Sequence, residues 1–246
     1  MQGCLANRTE AVVGGVVIIP ARGGSKRVPR KNLLRIGGRP MLAWPISAAQ
    51  SISEIDRIIV STDDDEIAQL ANQLGADASR RRPGFLAQDE TPTAPVIVHE
   101  VNQYSQGFSV PDFVIVLYPT SIFTETSDLS AMLTRLRRSD NPVQMVMSAT
   151  VYPAPIERAW RLTDLDVGLP INPRTRNIQS PTYESHFYDN GQAYVSGIEA
   201  WSMIEAGQPV STALHVLPPS RAWDINTFDD LTIAEILFQQ SQKSLG

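Results

Sequence analysis

The stretch VVIIPARGGSKRVPRKN, residues 16–32, decides the fold. Four β-branched residues, Val16, Val17, Ile18 and Ile19, run without polar alternation into Pro20, the pattern of a strand buried on both faces. Directly after it come Gly23, Gly24, Ser25 and five basic side chains, Arg22, Lys26, Arg27, Arg30 and Lys31. In an open parallel sheet, ligands sit beyond the carboxyl ends of the strands, and this loop occupies such an end. Gly23 and Gly24 let the backbone bend closely round an anion, with N–H groups turned to it, and Arg22, Lys26, Arg30 and Lys31 can neutralise its charge. These residues alone fit a solvated basic loop as well as a phosphate cradle. Their spacing matches neither G-x-x-x-x-G-K-[ST] nor G-x-G-x-x-G.

Outward from the loop, strand and helix signals alternate. DRIIVST (56–62) reads as a second strand. PMLAWPISAAQSI (40–52) reads as a helix with Pro40 in its first turn, and Pro45 is expected to disturb its early hydrogen bonds. DDDEIAQLANQLG (63–75) follows as a helix opened by acids, with Ile67, Leu70, Ala71 and Leu74 at helical spacing and Gly75 as its stop. The dipole of that helix accounts for its three consecutive Asp residues without a metal. Further helices are predicted over 92–106, 128–138 and 197–206 and from Thr227 onward, and further strands at 112–120, 143–151, near Ala193 and at 213–219. Parallel strands with right-handed crossovers satisfy such β-α-β-α alternation most economically, so the fold class is α/β. From 152 to 190 the rhythm breaks into Pro, Arg, Asn and Ser. That segment reads as a surface insertion of loops and short strands, or as a dimerisation arm or substrate lid. A flexible tail is expected over 1–14, then one domain over 15–246 that carries the insertion.

The chain has 246 residues and a net charge of −5, which argues against a nucleic-acid or anionic-membrane binder. Its one cysteine, Cys4, excludes an intrachain disulfide framework and a Cys-based zinc cluster. No signal peptide or membrane-length apolar run is present, so a cytoplasmic protein is expected.

Three further clusters carry candidate chemistry. RRRPGFLAQDETPTAP (80–95) offers Arg, Asp and Thr to a base or ribose, while Asp89 or Thr91 serves equally as a helix cap. VLYPTSIF (116–123) sets Tyr118 and the hydroxyls of Thr120 and Ser121 after a buried strand, again with capping as the competing use. In RAWDINTFDDL (221–231), Asp224 and Asn226 stand two apart, on one side of an extended segment. A carboxylate and an amide oxygen there suit Mg²⁺, which binds through one or two carboxylates plus substrate phosphates; a turn followed by a capping Thr227 fits the same letters. His99, His186 and His215 have no metal-like spacing.

Assembled, IIPARGGSKRVPRKN, IIVSTDDDEIA, LYPTS, FYDNGQAY and WDINT resemble, in order and spacing, the sugar-nucleotide cytidylyltransferases that activate nine-carbon sialic-acid-like sugars. The resemblance runs from about Val16 to the final helix. It is nearest to the pseudaminic acid branch, through PARGGSKR.PRKN, the Tyr of YPT, RTRNIQ (174–179) and D.GQ.Y. It implies a three-layer Rossmann-like nucleotidyltransferase fold, mostly parallel, with an inserted dimerisation arm. It also implies transfer of CMP from CTP to the anomeric hydroxyl of an acidic nine-carbon sugar, with Mg²⁺ as cofactor and a homodimer as the assembly. Arg22, Ser25 and Lys31 would hold the triphosphate, with Ala21, Gly23, Gly24 and Asn32 beside the nucleotide. Arg82, Asp89 and Thr91 fall where the family reads cytosine and ribose, and Tyr118, Thr120, Tyr188, Asp189, Gly191 and Gln192 at the sugar side. Arg22, Lys31 and Asp224 are the catalytic candidates, Asp224 and Asn226 the metal ligands. The arm would lend Arg158, Arg174 or Arg176 to the partner's site.

Three positions depart from the family pattern. Asn226 stands where Asp-x-Asp-Thr is usual, which keeps a ligand oxygen but removes a charge, so weaker Mg²⁺ binding is expected. Tyr188 replaces the His of the pseudaminate string, and Asn190-Gly191 is similar to the NG of sialic acid synthetases. Pro45 falls inside a helix that does not require it.

Overall fold

Val17 and Ile19 point to one side of the first strand, Val16 and Ile18 to the other, and all four are fully buried. A computed structural model describes residues 14–175 and 184–243; the tail before Gly14, with Cys4, and Arg176 in the arm lie outside the described residues. In chain order the elements are β1 (Gly15–Pro20), β2 (Arg35–Ile36), β3 (Arg39–Pro40), α1 (Ala43–Gln50), β4 (Ile55–Ser61), α2 (Asp65–Gln73) and α3 (Thr93–Ser105). Then come β5 (Val114–Leu117), α4 (Thr126–Leu136), β6 (Met145–Val151), β7 (Trp160–Leu162), β8 (Gly168–Pro170), β9 (Phe187–Ser196), α5 (Ile198–Glu205), β10 (Thr212–Val216) and α6 (Phe228–Lys243).

Six strands form one sheet in the order β10-β6-β9-β5-β1-β4. The period-two alternation of β1 sends Val17 and Ile19 to a core with α1, α2 and α4, and Val16 and Ile18 to a core with α3 and α5. The result is three layers, with helices on both faces of a sheet in which β1 pairs in parallel with β4 and β5, and β6 with β10. Only β9 is reversed, antiparallel to both β5 and β6. No α-helix separates β6 from β9 among the described residues, and the chain returns antiparallel beside the strand it left, Val151 pairing with Phe187. Between those two strands the described residues carry the small β7–β8 ribbon. No helix among the described residues is long and apolar enough to cross a membrane.

Local chemistry explains where helices begin. α1 starts at Ala43, so Pro40 lies in β3 and Pro45 takes the third helical position. The N–H that proline lacks has no intrahelical partner there, so the expected disturbance does not arise. Asp64 caps α2, its carboxylate accepting from the backbone N–H of Glu66 at 2.9 Å and Ile67 at 3.0 Å. α4 begins two residues before the predicted start because Glu125 and Asp128 form a capping box. Thr227 and Asp230 exchange the same kind of bonds at the head of α6. A third apolar cluster of Ile36, Met41, Ile225, Ala234 and Phe238 fastens α6 and the Asp224 segment to the β2–β3 hairpin. That hairpin turns through Gly37 and Gly38, at φ 57° and 76°, a geometry that favours glycine.

Candidate active site

From β1 the chain moves to β4 on one side and then crosses back to β5 on the other, both parallel to β1, so the switch point of the sheet falls at the carboxyl end of β1. The glycine-rich loop leaves from there, and a cleft opens between it, the Arg82–Thr93 stretch, the Tyr118–Thr120 turn and Asn226. The loop is built inward as much as outward. Ala21 N–H donates to Ser61 O at 2.8 Å and Gly23 N–H to Asp63 Oδ1 at 2.9 Å. The Gly23 amide, expected to face an anion, is therefore taken by the protein. A Cβ on Gly23 would lie 2.8 Å from Asp64 Cβ, so only glycine passes there, whereas Gly24 faces open space. Asn32 is buried and donates Nδ2 to Arg22 O at 2.9 Å, pinning the loop from behind.

The loop cations divide by partner. Arg22 meets Asp89 at 2.5 Å and Lys26 meets the same carboxylate, which their hydrogen bonds hold below the usual carboxylate range. Asp89, expected at the nucleoside, thus bridges the 80–95 segment to the loop. Arg30, at φ 57°, binds Asp64 and Glu66 and belongs to the cap of α2 rather than to the cleft. Lys31 donates Nζ to the Ile225 carbonyl at 2.8 Å. Burial pulls its ammonium below the ordinary lysine range, Arg27 and Arg22 push the same way, and Asp224 opposes them.

Where the nucleoside was expected, Arg82 is buried and donates to Ser61 Oγ at 3.1 Å and Ser61 O at 2.6 Å; Ser61 in turn donates to the buried Glu100 at 2.6 Å. Ser61 and Glu100 escaped the sequence reading. The signal was there: Glu100 sits on the apolar stripe of α3 with Ile97, Val101 and Tyr104, where a carboxylate needs a partner. Thr91 lies beside Arg82 in the cleft and donates its hydroxyl to Phe85 O at 3.3 Å.

Across the cleft, Tyr118 OH and Thr93 Oγ1 are 2.5 Å apart, and Thr120 is buried at the cleft wall. Asp189 accepts from Gly191 N–H at 2.8 Å and from the hydroxyl of Tyr194 through both oxygens, at 2.8 and 2.7 Å. Gly191 has φ 65°, at a bulge in β9, and a Cβ on it would come 3.8 Å from Asp224 Oδ2. Burial raises the pKa of Tyr118 and of Tyr194, and both Asp189 and Asp224 add to each shift, which places the two carboxylates around one pair of phenols. Tyr194 is the last letter of the FYDNGQAY string, yet the sequence reading gave it no site role. Tyr188 packs against Tyr152, ring centres 4.9 Å apart, at the base of the arm. Gln192 corrects the expectation of a sugar contact. It is fully buried, its Oε1 accepts from Thr124 at 3.1 Å, and its Nε2 donates to the carbonyls of Arg221 and Trp223 at 3.0 and 3.3 Å. Both ends of its amide are engaged by protein groups, so it positions the Asp224 segment instead.

Asp224 and Asn226 flank the fully buried Ile225 and point away from its side, and Asn226 lines the cleft. The Asn226 amide has Nδ2 on Asp224 Oδ2 at 2.5 Å and Oδ1 on the Arg27 guanidinium at 2.8 Å. The opposite orientation would set oxygen against carboxylate and NH₂ against guanidinium, so charge fixes the amide. Its oxygen, expected on a metal, faces a cation. Among the described residues no three His, Cys, Asp or Glu side chains form a metal cluster. A divalent ion at Asp224 would be held by that one carboxylate and by oxygens a ligand brings with it.

A cytidylyltransferase family model matches residues 16–166. A pseudaminic acid cytidylyltransferase of Campylobacter jejuni subsp. jejuni is 29% identical over 92% of this chain and 97% of its own. A CMP-N,N'-diacetyllegionaminic acid synthase of Legionella pneumophila subsp. pneumophila is 28% identical over 94% and 98%. Among solved structures, a CMP:2-keto-3-deoxy-manno-octonic acid synthetase complexed with CTP superposes with a TM-score of 0.66 at 19% identity, covering 93% of this chain and 99% of its own.

Proposed function

Because the chain belongs to the cytidylyltransferase family and is a nucleotidyltransferase, we propose that it acts in the cytoplasm, transferring CMP from CTP to the anomeric hydroxyl of a nonulosonic acid, with pseudaminic acid as that sugar. One observation carries the reading: a cleft at the switch point of the sheet is lined by the cations of the glycine loop and by Asn226, whose amide joins Arg27 to Asp224. The sugar hydroxyl attacks the α-phosphorus in line and gives its proton to water, the bond to the bridging oxygen breaks, and pyrophosphate leaves with that electron pair. Lys31 and Arg22 offset the charge that grows on the leaving group; Arg82 and Thr91 hold the nucleoside; Tyr118 and Asp189 orient the sugar. Asp224 would hold Mg²⁺, which when bound supplies further neutralisation of the triphosphate. Neither nucleic acid nor membrane is a partner in this reading.

Incubation with CTP, Mg²⁺ and pseudaminic acid is expected to release pyrophosphate only when sugar is present. Release with legionaminic, N-acetylneuraminic or Kdo-type acids alone would keep the reaction and change the sugar. Silence with every sugar, with CTP still bound, would replace the enzyme by a nucleotide-binding protein without turnover.

The arm is proposed to pair two copies of the chain and to bring Arg158 or Arg174 near the partner's site. Its ribbon exposes Leu162, Leu165, Val167, Leu169 and Ile171, a patch too apolar for an arm that stays in water. In analytical ultracentrifugation the parent is expected to sediment as a dimer and a Leu165→Asp, Ile171→Asp variant as a monomer; an unchanged dimer would place the interface elsewhere.

A further inference from the structure

Arg27 stands apart from the cations that pair with acids. Arg22 and Lys26 share Asp89, and Arg30 holds Asp64 and Glu66. Arg27 instead donates Nη2 to the neutral Oδ1 of Asn226 at 2.8 Å, and the other end of that amide donates to Asp224 at 2.5 Å. Asn226 thus sits between a guanidinium and a carboxylate and satisfies both without adding charge. Aspartate at 226 would change two contacts at once. It would capture Arg27 in an ion pair, and it would set like charge against Asp224. With the amide in place, the positive charge of Arg27 stays available in the cleft, which it lines with Lys31, and its field already helps lower the Lys31 pKa.

We propose that Arg27 is a triphosphate-binding residue aimed by the Asn226 amide, a built-in cation that takes up part of the charge a bound divalent ion would otherwise neutralise. The proposal rests on the CTP reading. It gives the departure at position 226 a purpose: loss of one carboxylate near the metal is matched by release of one arginine toward the phosphates.

Calorimetric titration of CTP tests it with the parent, Arg27→Gln, Asn226→Asp and the double variant, each in EDTA and again with excess Mg²⁺. Arg27 is exposed, so its replacement removes no core contact. The parent is expected to bind CTP in EDTA, and Arg27→Gln about 10-fold more weakly, the loss of one charged hydrogen-bonding group. Asn226→Asp is expected to bind about 10-fold more weakly in EDTA and to recover with Mg²⁺, while Arg27→Gln recovers less. In the double variant the two losses should not multiply, since both act through one guanidinium. Binding by Arg27→Gln as tight as the parent's in EDTA, or parent binding only with Mg²⁺, would overturn the proposal and leave the CTP reading standing. Multiplying losses in the double variant would reduce Asn226→Asp to plain repulsion and overturn the aiming role. A parent that binds no CTP with or without Mg²⁺ would overturn the CTP reading itself.

Discussion

Replacing Lys31 by Met is expected to lower kcat/KM for CTP by about three orders of magnitude, the upper range for losing one preorganised donor to a developing oxyanion. Lys31 is favoured over its basic neighbours by its partner. An anion that reaches Arg22 must compete with Asp89 for the guanidinium, whereas Lys31 gives up only a bond to the neutral Ile225 carbonyl. Burial has already removed part of its hydration, so its charge acts in a poorly screened place. The same burial sets a pH signature. Lysine charge is lost as pH rises through its pKa, and that pKa lies below the ordinary range, so activity should decline on the alkaline side earlier than a solvated lysine would allow. Lys31→Arg, which cannot lose its proton in that range, should recover part of the rate and move the alkaline limb upward. Steady-state pyrophosphate release across pH checks both parts. A Lys31→Met enzyme within tenfold of the parent would remove Lys31 from the charge-bearing group.

What the sequence made legible was local. β1 and its glycine turn are adjacent in the chain, so composition and spacing suffice to place a ligand edge after a buried strand. The direction of β9 was not legible, because it depends on whether the irregular arm crosses the sheet or folds back along its edge, and no periodicity in 152–186 records that choice. The Gln192 error has a related cause. A Gln in a polar string looks like a ligand group, and only its tertiary partners, Thr124, Arg221 and Trp223, show both ends of the amide occupied. Asn226 was visible as a departure, yet its meaning lay in Arg27, 199 positions away. Motif residues announce themselves one at a time; the bonds that decide their roles join segments whose closeness is a product of the fold.

The last segment is hung in part on Asp128, so Asp128→Ala should lower the unfolding free energy by about 3 kcal/mol, the lower range for stranding one partner of a buried pair. The carboxylate binds both guanidinium nitrogens of Arg221, at 2.8 and 3.0 Å, the His215 ring at 3.1 Å and the Glu125 N–H at 2.9 Å. Those bonds tie the head of α4 to β10 and to the turn that leads into Asp224. Arg221 keeps about a quarter of its side-chain surface, at 26%, which is why the lower figure is taken. Burial alone would raise the Asp128 pKa, but hydrogen bonds from His215, Arg221 and the Glu125 backbone outweigh it and hold the carboxyl well below the usual range. A carboxylate with a depressed folded pKa contributes stability that is complete above its unfolded value, about 3.9, and is lost as pH falls toward the folded one. Urea unfolding should therefore show a wide gap between parent and variant at pH 7 that narrows at about pH 3. A gap of equal size at both values would mean that packing, not charge, makes the difference. The chemistry should register the loss too, since Lys31 binds the Ile225 carbonyl within the segment that Arg221 introduces. The variant should show a raised KM for CTP under conditions where it is still folded, because the acceptor that positions Lys31 is no longer held in place.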